Sequence, residues 1–273
     1  RIKMKKHSQL LVGAILFFLS LGALVLTLAN GPTETTYAQR TGSSNEMLYL
    51  PLIMKQVSCD LPNASYDQIP IASEPSNIPA AQHPDVNLAI RGYEPTNAAL
   101  TLVNYAGGVD PNAPQLDTLF ATPRLPQFSS AYQIYRWDWQ CGCRGELMDS
   151  WDTNLLGMKT TPGETIHVPD SGYDIGGNHD VMVLYAAENR ITLKYTREDN
   201  VVGGYTIHIE DVCVDPKLIN LYNTLNAAGR GQLPALEGHQ AFGRSLGSEI
   251  KVSVRDVGNF LDPRSRKDWW QDY

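Results

Sequence analysis

Few side chains in this sequence could do chemistry, and most of them lie in its second half. His167, His179, Asp180, His208 and His239 are the residues able to ligate a divalent metal or move a proton. Two imidazoles and one carboxylate from separate strands could hold zinc, with Asp174, His179 and His208 as the alternative ligand set. None of them has regular ligand spacing, so a surface-loop histidine at 179 and a hydrogen-bonded strand histidine at 208 are the plainer reading. Asp170 and Asp174 could work as paired carboxylates or simply stand in a solvated turn. Neither a serine-nucleophile elbow nor a phosphate-cradling glycine loop before a helix is expected.

Four cysteines are present, Cys59, Cys141, Cys143 and Cys213. Cys141 or Cys143 with a histidine would suit a thiol hydrolase, but an even count in an oxidising compartment favours disulfides. Cys141-Gly142-Cys143 is too tight for an easy internal bridge, so each of its cysteines is expected to reach Cys59 or Cys213. Zinc is the runner-up for these thiols, against the absence of paired spacing.

The oxidising compartment follows from the N-terminus. Arg1, Lys3, Lys5 and Lys6 precede an apolar run from Leu10 to Ala29. Residues 1–38 therefore read as a secretory signal, or as an uncleaved anchor because the run is long enough to span a bilayer. The remainder is expected outside the cytoplasm, secreted or on the cell surface, with membrane contact only through this segment. A formal net charge of -7 argues against a nucleic-acid partner.

The elements that would position these side chains are mostly strands. Residues 39–85 form a proline-rich linker with a short apolar island at Leu48 to Met54. Residues 86–165 are β-rich, with strands expected at Leu88-Ala89-Ile90 and Leu100 to Val103, and an alternating strand from Tyr132 to Trp139. The aromatics Tyr135, Trp137, Trp139 and Trp151 form either a core and strand contacts, which is the commoner case, or a sugar-binding surface. Residues 166–273 hold an antiparallel meander, Val181 to Tyr185, Ile191 to Tyr195 and Tyr205 to Ile209. Asp215-Pro216 starts a helix as N-cap and first-turn proline, with Leu218, Leu221, Tyr222 and Leu225 on its apolar face and Gly229 past its end. Glu249 to Arg255 alternates, with Ile250, Val252 and Val254 on one face and Glu249, Lys251, Ser253 and Arg255 on the other. The segment Arg264 to Trp270 is either a docking tail or a pair of tryptophans packed back on the domain.

The order of these segments resembles the lysostaphin-like zinc endopeptidases of bacterial cell walls. Asp170-Ser171-Gly172-Tyr173-Asp174 stands where that family has H-x-G-x-D, and Leu221 to Leu225 where it has Y-x-H-L. Gly238-His239-Gln240-Ala241-Phe242-Gly243 is similar to its G-Q-x-I-G turn. Glu249 to Arg255 falls on its H-L-H-F-E-V-R strand, and Gly258 to Pro263 on its closing N-G-x-x-x-D-P. The resemblance spans roughly residues 166–266.

It implies a mainly β fold, an antiparallel sandwich or roll of the duplicated hybrid motif type, with the helix as an insertion. It also implies a cleft containing Asp170, Asp174, Thr224, Glu249 and Lys251. In the family, the first histidine, the aspartate and the last histidine hold zinc, which activates a water. Here only Asp174 of those ligands is matched. Asp170, Glu249, Lys251 and Thr224 replace histidines, and a protonated lysine cannot ligate a cation. The resemblance thus implies a non-catalytic domain without a cofactor that binds cell-wall glycan or peptide, or an envelope protein. The alternative is a zinc peptidase of peptidoglycan cross-bridges with a rebuilt metal site.

Overall fold

The computed structural model describes residues 57–273, together with two short upstream strands, β1 (Thr36–Tyr37) and β2 (Pro51–Leu52), which pair antiparallel. The signal or anchor expected at 1–38 and the island at 48–54 otherwise lie outside the described residues. Among the described residues no helix is long and apolar enough to cross a membrane.

After β3 (Asp67–Pro70) the chain makes a single helical turn, α1 (Leu88–Arg91), and then β4 (Tyr93–Pro95), β5 (Phe128–Asp138), β6 (Cys143–Leu147), β7 (Leu155–Lys159) and β8 (Thr165–His167). The meander follows as β9 (Val181–Ala187), β10 (Arg190–Lys194) and β11 (Tyr205–Glu210), then β12 (Val212–Val214) and the helix α2 (Pro216–Ala227). β13 (Gln232–Leu236), β14 (Ala241–Ser245), β15 (Glu249–Asp256), β16 (Asn259–Phe260) and the short α3 (Arg266–Trp269) complete it. An eleven-stranded sheet runs in the order β3-β13-β9-β10-β11-β15-β7-β5-β4, with β16 on β15 and β6 on β5. A three-stranded sheet, β12-β14-β8, faces part of it, and Val212, Phe242 and Ile166 join the same apolar core as the large sheet. The fold is mainly β and antiparallel, and among the described residues α2 is the one helix of several turns.

Register explains where the core lies. Ile191 pairs with Ile209, Ile209 with Val252 and Val252 with Leu156, so one apolar row crosses four strands. Leu193, Ile207 and Val254 form the next row. Because side chains alternate along a strand, the opposite face carries Arg190-Glu210-Lys251, Thr192-His208-Ser253 and Lys194-Thr206-Arg255. α2 is capped as expected, the Asp215 carboxylate accepting from the Lys217 N–H at 2.9 Å, and buries Leu218 and Tyr222.

Several expectations are overturned. Residues 60–85 are not a free linker: β3 adds an edge strand to β13, and Leu61, Ile69 and Ala80 are buried. Leu88 to Ile90 is helical instead of extended. The Arg91 guanidinium ties that turn down by donating to Pro84 O, Tyr135 O and the Asp85 carboxylate, and Gly92 at φ 70° ends it. Leu100 to Val103 is not a strand, and Val103 makes a single bridge to Ser265. The disulfides are Cys59–Cys213 and Cys141–Cys143, with Cα separations of 5.2 and 5.3 Å, not crossed pairs. Gly142, at φ 62°, folds the C-x-C turn tightly enough to bridge. Trp269 and Trp270 are buried, and their indole N–H groups donate to Asp262 O and Pro263 O, so they pack back on the domain and form no tail.

Candidate functional site

The polar face of β15 is where the resemblance places a catalytic pair, so its surroundings decide what it can do. Lys251 pairs with Gly157 of β7 on one side and with Glu210 of β11 on the other. Its ammonium donates to the Asp211 carboxylate, lies 3.5 Å from Glu249 Oε1, and sits 5.6 and 6.0 Å from the ring centroids of Tyr132 and Tyr93. Burial alone would lower the Lys251 pKa, but the hydrogen bond and charge of Asp211 raise it, so the group stays protonated. Glu249 Oε2 accepts from Ser130 Oγ at 2.7 Å and from Ser129 Oγ. Beneath them Gly157 leaves the necessary room. A Cβ there would collide with the Ser130 hydroxyl and the Glu249 carboxylate.

Further along β15 the same face is closed. A strap, residues 83–95, crosses it: Val86 O accepts from Thr192 Oγ1 at 2.6 Å, and the Asp85 carboxylate receives Arg255 at 3.0 Å and Arg91 at 2.6 Å. Phe260 fills the remaining space, 4.3 Å from the Arg255 guanidinium carbon and 5.8 Å from the His208 ring. Ser253, on the polar face of this alternating strand, is fully buried and Arg255 is 4% exposed. Burial would raise the Asp85 pKa, yet the two guanidinium groups overcome it and hold the carboxyl below its usual range. His208 is pushed well below its ordinary pKa, by burial first and then by Arg255. Since Thr192 spends its hydroxyl proton on Val86 O, its contact with His208 Nδ1 at 3.0 Å requires an Nδ1–H donor. That leaves Nε2 with a bare lone pair, buried and unpartnered.

The remaining expected residues fall elsewhere. Asp174 is an exposed loop residue whose carboxylate accepts from the Gly176 N–H. Asp170 lies near Asp180 and Gly238, its pKa raised by burial and Asp180 against the opposing effect of His239. Thr224 is on the exposed side of α2, donating to Asn220 O, and α2 packs on β13 and β9. The segment 170–174 is therefore not a strand neighbour of β15. β7 occupies that place, and the expected cleft of Asp170, Asp174, Thr224, Glu249 and Lys251 is reduced to Glu249 and Lys251. The alternative zinc set does not assemble either. His179 donates from Nδ1 to Gly176 O and faces Asp67 from Nε2 at 3.3 Å, whereas His208 is enclosed between Thr192 and Phe260. Among the described residues no three His, Cys, Asp or Glu side chains come together for a metal. At the one place the resemblance predicts zinc, a lysine held by Asp211 and Glu249 does not fit the ion.

Sequence reasoning missed Ser129, Ser130, Gly157, Asp211 and the strap. The run Leu155-Leu156-Gly157-Met158 was the available signal, a short apolar stretch typical of a buried strand. It also passed over Gly243-Arg244-Ser245-Leu246-Gly247, which has the G-x-S-x-G spacing of a nucleophile elbow. Ser245 is fully buried at the end of β14, bonded to Thr160 Oγ1 and Gly247 O, so it is a structural hydroxyl.

The aromatic set divides. Tyr135 and Trp137 are half-buried on β5 and Trp139 is 54% exposed just beyond it, all three at alternate positions near the β5–β6 turn. They are therefore not core residues. Trp151 is committed elsewhere, its indole N–H donating to Phe260 O and its ring lying edge-on to Tyr105. Compared with protein-family models, with curated proteins and with solved structures, the chain matches none.

Proposed function

We propose that the chain is a non-catalytic, extracellular binding domain on a lysostaphin-like scaffold, and that it recognises cell-wall glycan. The observation that carries this reading is Lys251. At the position where the resemblance calls for a metal ligand stands an ammonium already neutralised by Asp211 and Glu249. The strap over His208, Ser253 and Arg255 supports it, because it occupies the face a substrate would need. The binding surface is then the β5–β6 hairpin, where Tyr135, Trp137 and Trp139 offer rings to the apolar faces of sugar rings.

The test is co-sedimentation of the full chain with purified peptidoglycan, in the presence and absence of a chelator. Retention that survives chelation and weakens about tenfold in Trp139→Ala, on the order of 1.4 kcal/mol, supports the reading. Failure to bind any envelope fraction defeats it. One tightly held zinc with cross-bridge cleavage would replace it with the peptidase alternative.

A further inference from the structure

The two disulfides differ in ways that suggest different tasks. Cys59–Cys213 joins residues 154 apart, and Cys213 is 4% exposed on β12 within the core sheets. Cys141–Cys143 joins residues two apart, at the tip of the β5–β6 hairpin, with both cysteines and Gly142 exposed. A bridge that closes so small a loop restricts the unfolded chain very little. It also connects nothing that the β5–β6 pairing does not already hold, since Asp138 pairs with Cys143 directly. The hairpin is anchored without it: Arg144 donates to Ile90 O and Ala89 O.

Access is open. A Cβ built on Gly142 meets nothing within 4 Å, and the exposed Trp139 beside the turn gives an apolar landing for a polypeptide. Cys141 Sγ lies 3.7 Å from Asp138 O, so the thiol released by reduction has an acceptor in place.

We propose that Cys141-Gly142-Cys143 is a redox-active disulfide that exchanges with paired cysteine thiols of another polypeptide. A substrate thiolate attacks Cys143 Sγ, forming a mixed disulfide and breaking the Cys141–Cys143 bond. Cys141 leaves as thiolate and takes a proton from solvent, and the resulting S–H donates a hydrogen bond to Asp138 O. The second substrate thiolate then attacks the substrate sulfur of the mixed disulfide and releases Cys143, which is protonated in turn. The substrate loses two electrons and two protons in becoming a disulfide, and the C-x-C pair gains both. A small-molecule disulfide such as oxidised glutathione returns the pair to its starting state by the reverse exchange.

The experiment equilibrates the full chain in graded mixtures of reduced and oxidised glutathione, alkylates free thiols and maps them by mass spectrometry. Near-UV circular dichroism monitors the fold. The expected result is that Cys141 and Cys143 become alkylated at a reductant-to-oxidant ratio at least about tenfold lower than Cys59 and Cys213, with the tertiary signal unchanged. In parallel, the oxidised chain should convert a reduced, unfolded two-cysteine polypeptide to its disulfide, and Cys141→Ser/Cys143→Ser should abolish this while keeping the same spectrum. Reduction of both bridges at one ratio, or dithiol oxidation that persists in the double variant, would overturn the proposal.

Discussion

Lys251 donates its ammonium to the Asp211 carboxylate across the corner between β11 and β12, and the same group lies 3.5 Å from Glu249 Oε1. One lysine thus balances two carboxylates on a face that also holds the buried Glu210. Removing the lysine leaves that negative charge uncompensated. Lys251→Met should cost about 1–3 kcal/mol at pH 7, below the value for a fully buried pair because Asp211 is partly open to water. The folded pKa of Lys251 lies above its unfolded value, so its contribution is complete below about pH 10 and is lost only as pH rises through the folded pKa. Urea unfolding at pH 7 and pH 9 checks this. The deficit should be the same at both, and a deficit that already shrinks by pH 9 would mean that the fold does not hold the lysine protonated.

Gly157 is the residue that lets Glu249 and Ser130 meet. Its substitution by alanine should destabilise the domain by roughly 1–3 kcal/mol through overpacking in a central strand. The double change Gly157→Ala/Ser130→Ala removes the nearest obstacle. A double-mutant cycle on unfolding midpoints should therefore show coupling above about 0.5 kcal/mol, and strict additivity would contradict the close approach.

Local patterns told most of what local physics decides. The alternation of Glu249 to Arg255, the meander at β9 to β11 and the Asp215-Pro216 helix start each depend on near neighbours in sequence, and each is present in the fold. What they could not tell is which side of an alternating strand meets water. Ser253 and Arg255 look like a solvated face until Asp85, 170 residues upstream from Arg255, is placed against them. The expected cleft failed for the same reason. Asp170-Ser171-Gly172-Tyr173-Asp174 has a plausible order along the chain, but strand neighbours are set by pairing, and β7 pairs with β15. The C-x-C bridge was misjudged because a glycine at positive φ shortens a turn that a generic residue would hold open.

His208 makes the buried polar face sensitive to acid. Its pKa is pushed down by burial and by Arg255, with Asp85 opposing and Arg91 adding to the effect. The unfolded histidine takes up a proton below about pH 6.5 and the folded one does not, so stability falls as pH falls through that value. The slope contributed is at most about 1.4 kcal/mol per pH unit. His83 and His167 are also lowered, mainly by burial, so the wild type alone cannot assign the effect. The informative comparison is His208→Leu, which keeps the Thr192 bond to Val86 O available. Unfolding midpoints between pH 7.5 and 5.5 should fall less steeply in that variant. An unchanged slope would place the titration on the other two histidines.

The β15–β16 hairpin turns through Val257 and Gly258, both with positive φ, at 45° and 79°. Such a pair suits a two-residue hairpin turn whose twist matches the strands, and that turn favours Asn-Gly. Glycine meets the requirement at the second position. Valine does not at the first, because a β-branched side chain in the left-handed region crowds its own backbone. Val257 gains little in return, since its side chain is 59% exposed. Only its backbone is used, the N–H donating to Gly204 O at 3.2 Å, and any residue but proline supplies that. Val257→Asn should therefore stabilise the domain by about 1 kcal/mol, raising Tm by roughly 2–4 °C for a domain of this size. Thermal unfolding followed by circular dichroism reads the shift directly. A variant no more stable than the wild type would mean that the left-handed backbone at 257 carries no strain.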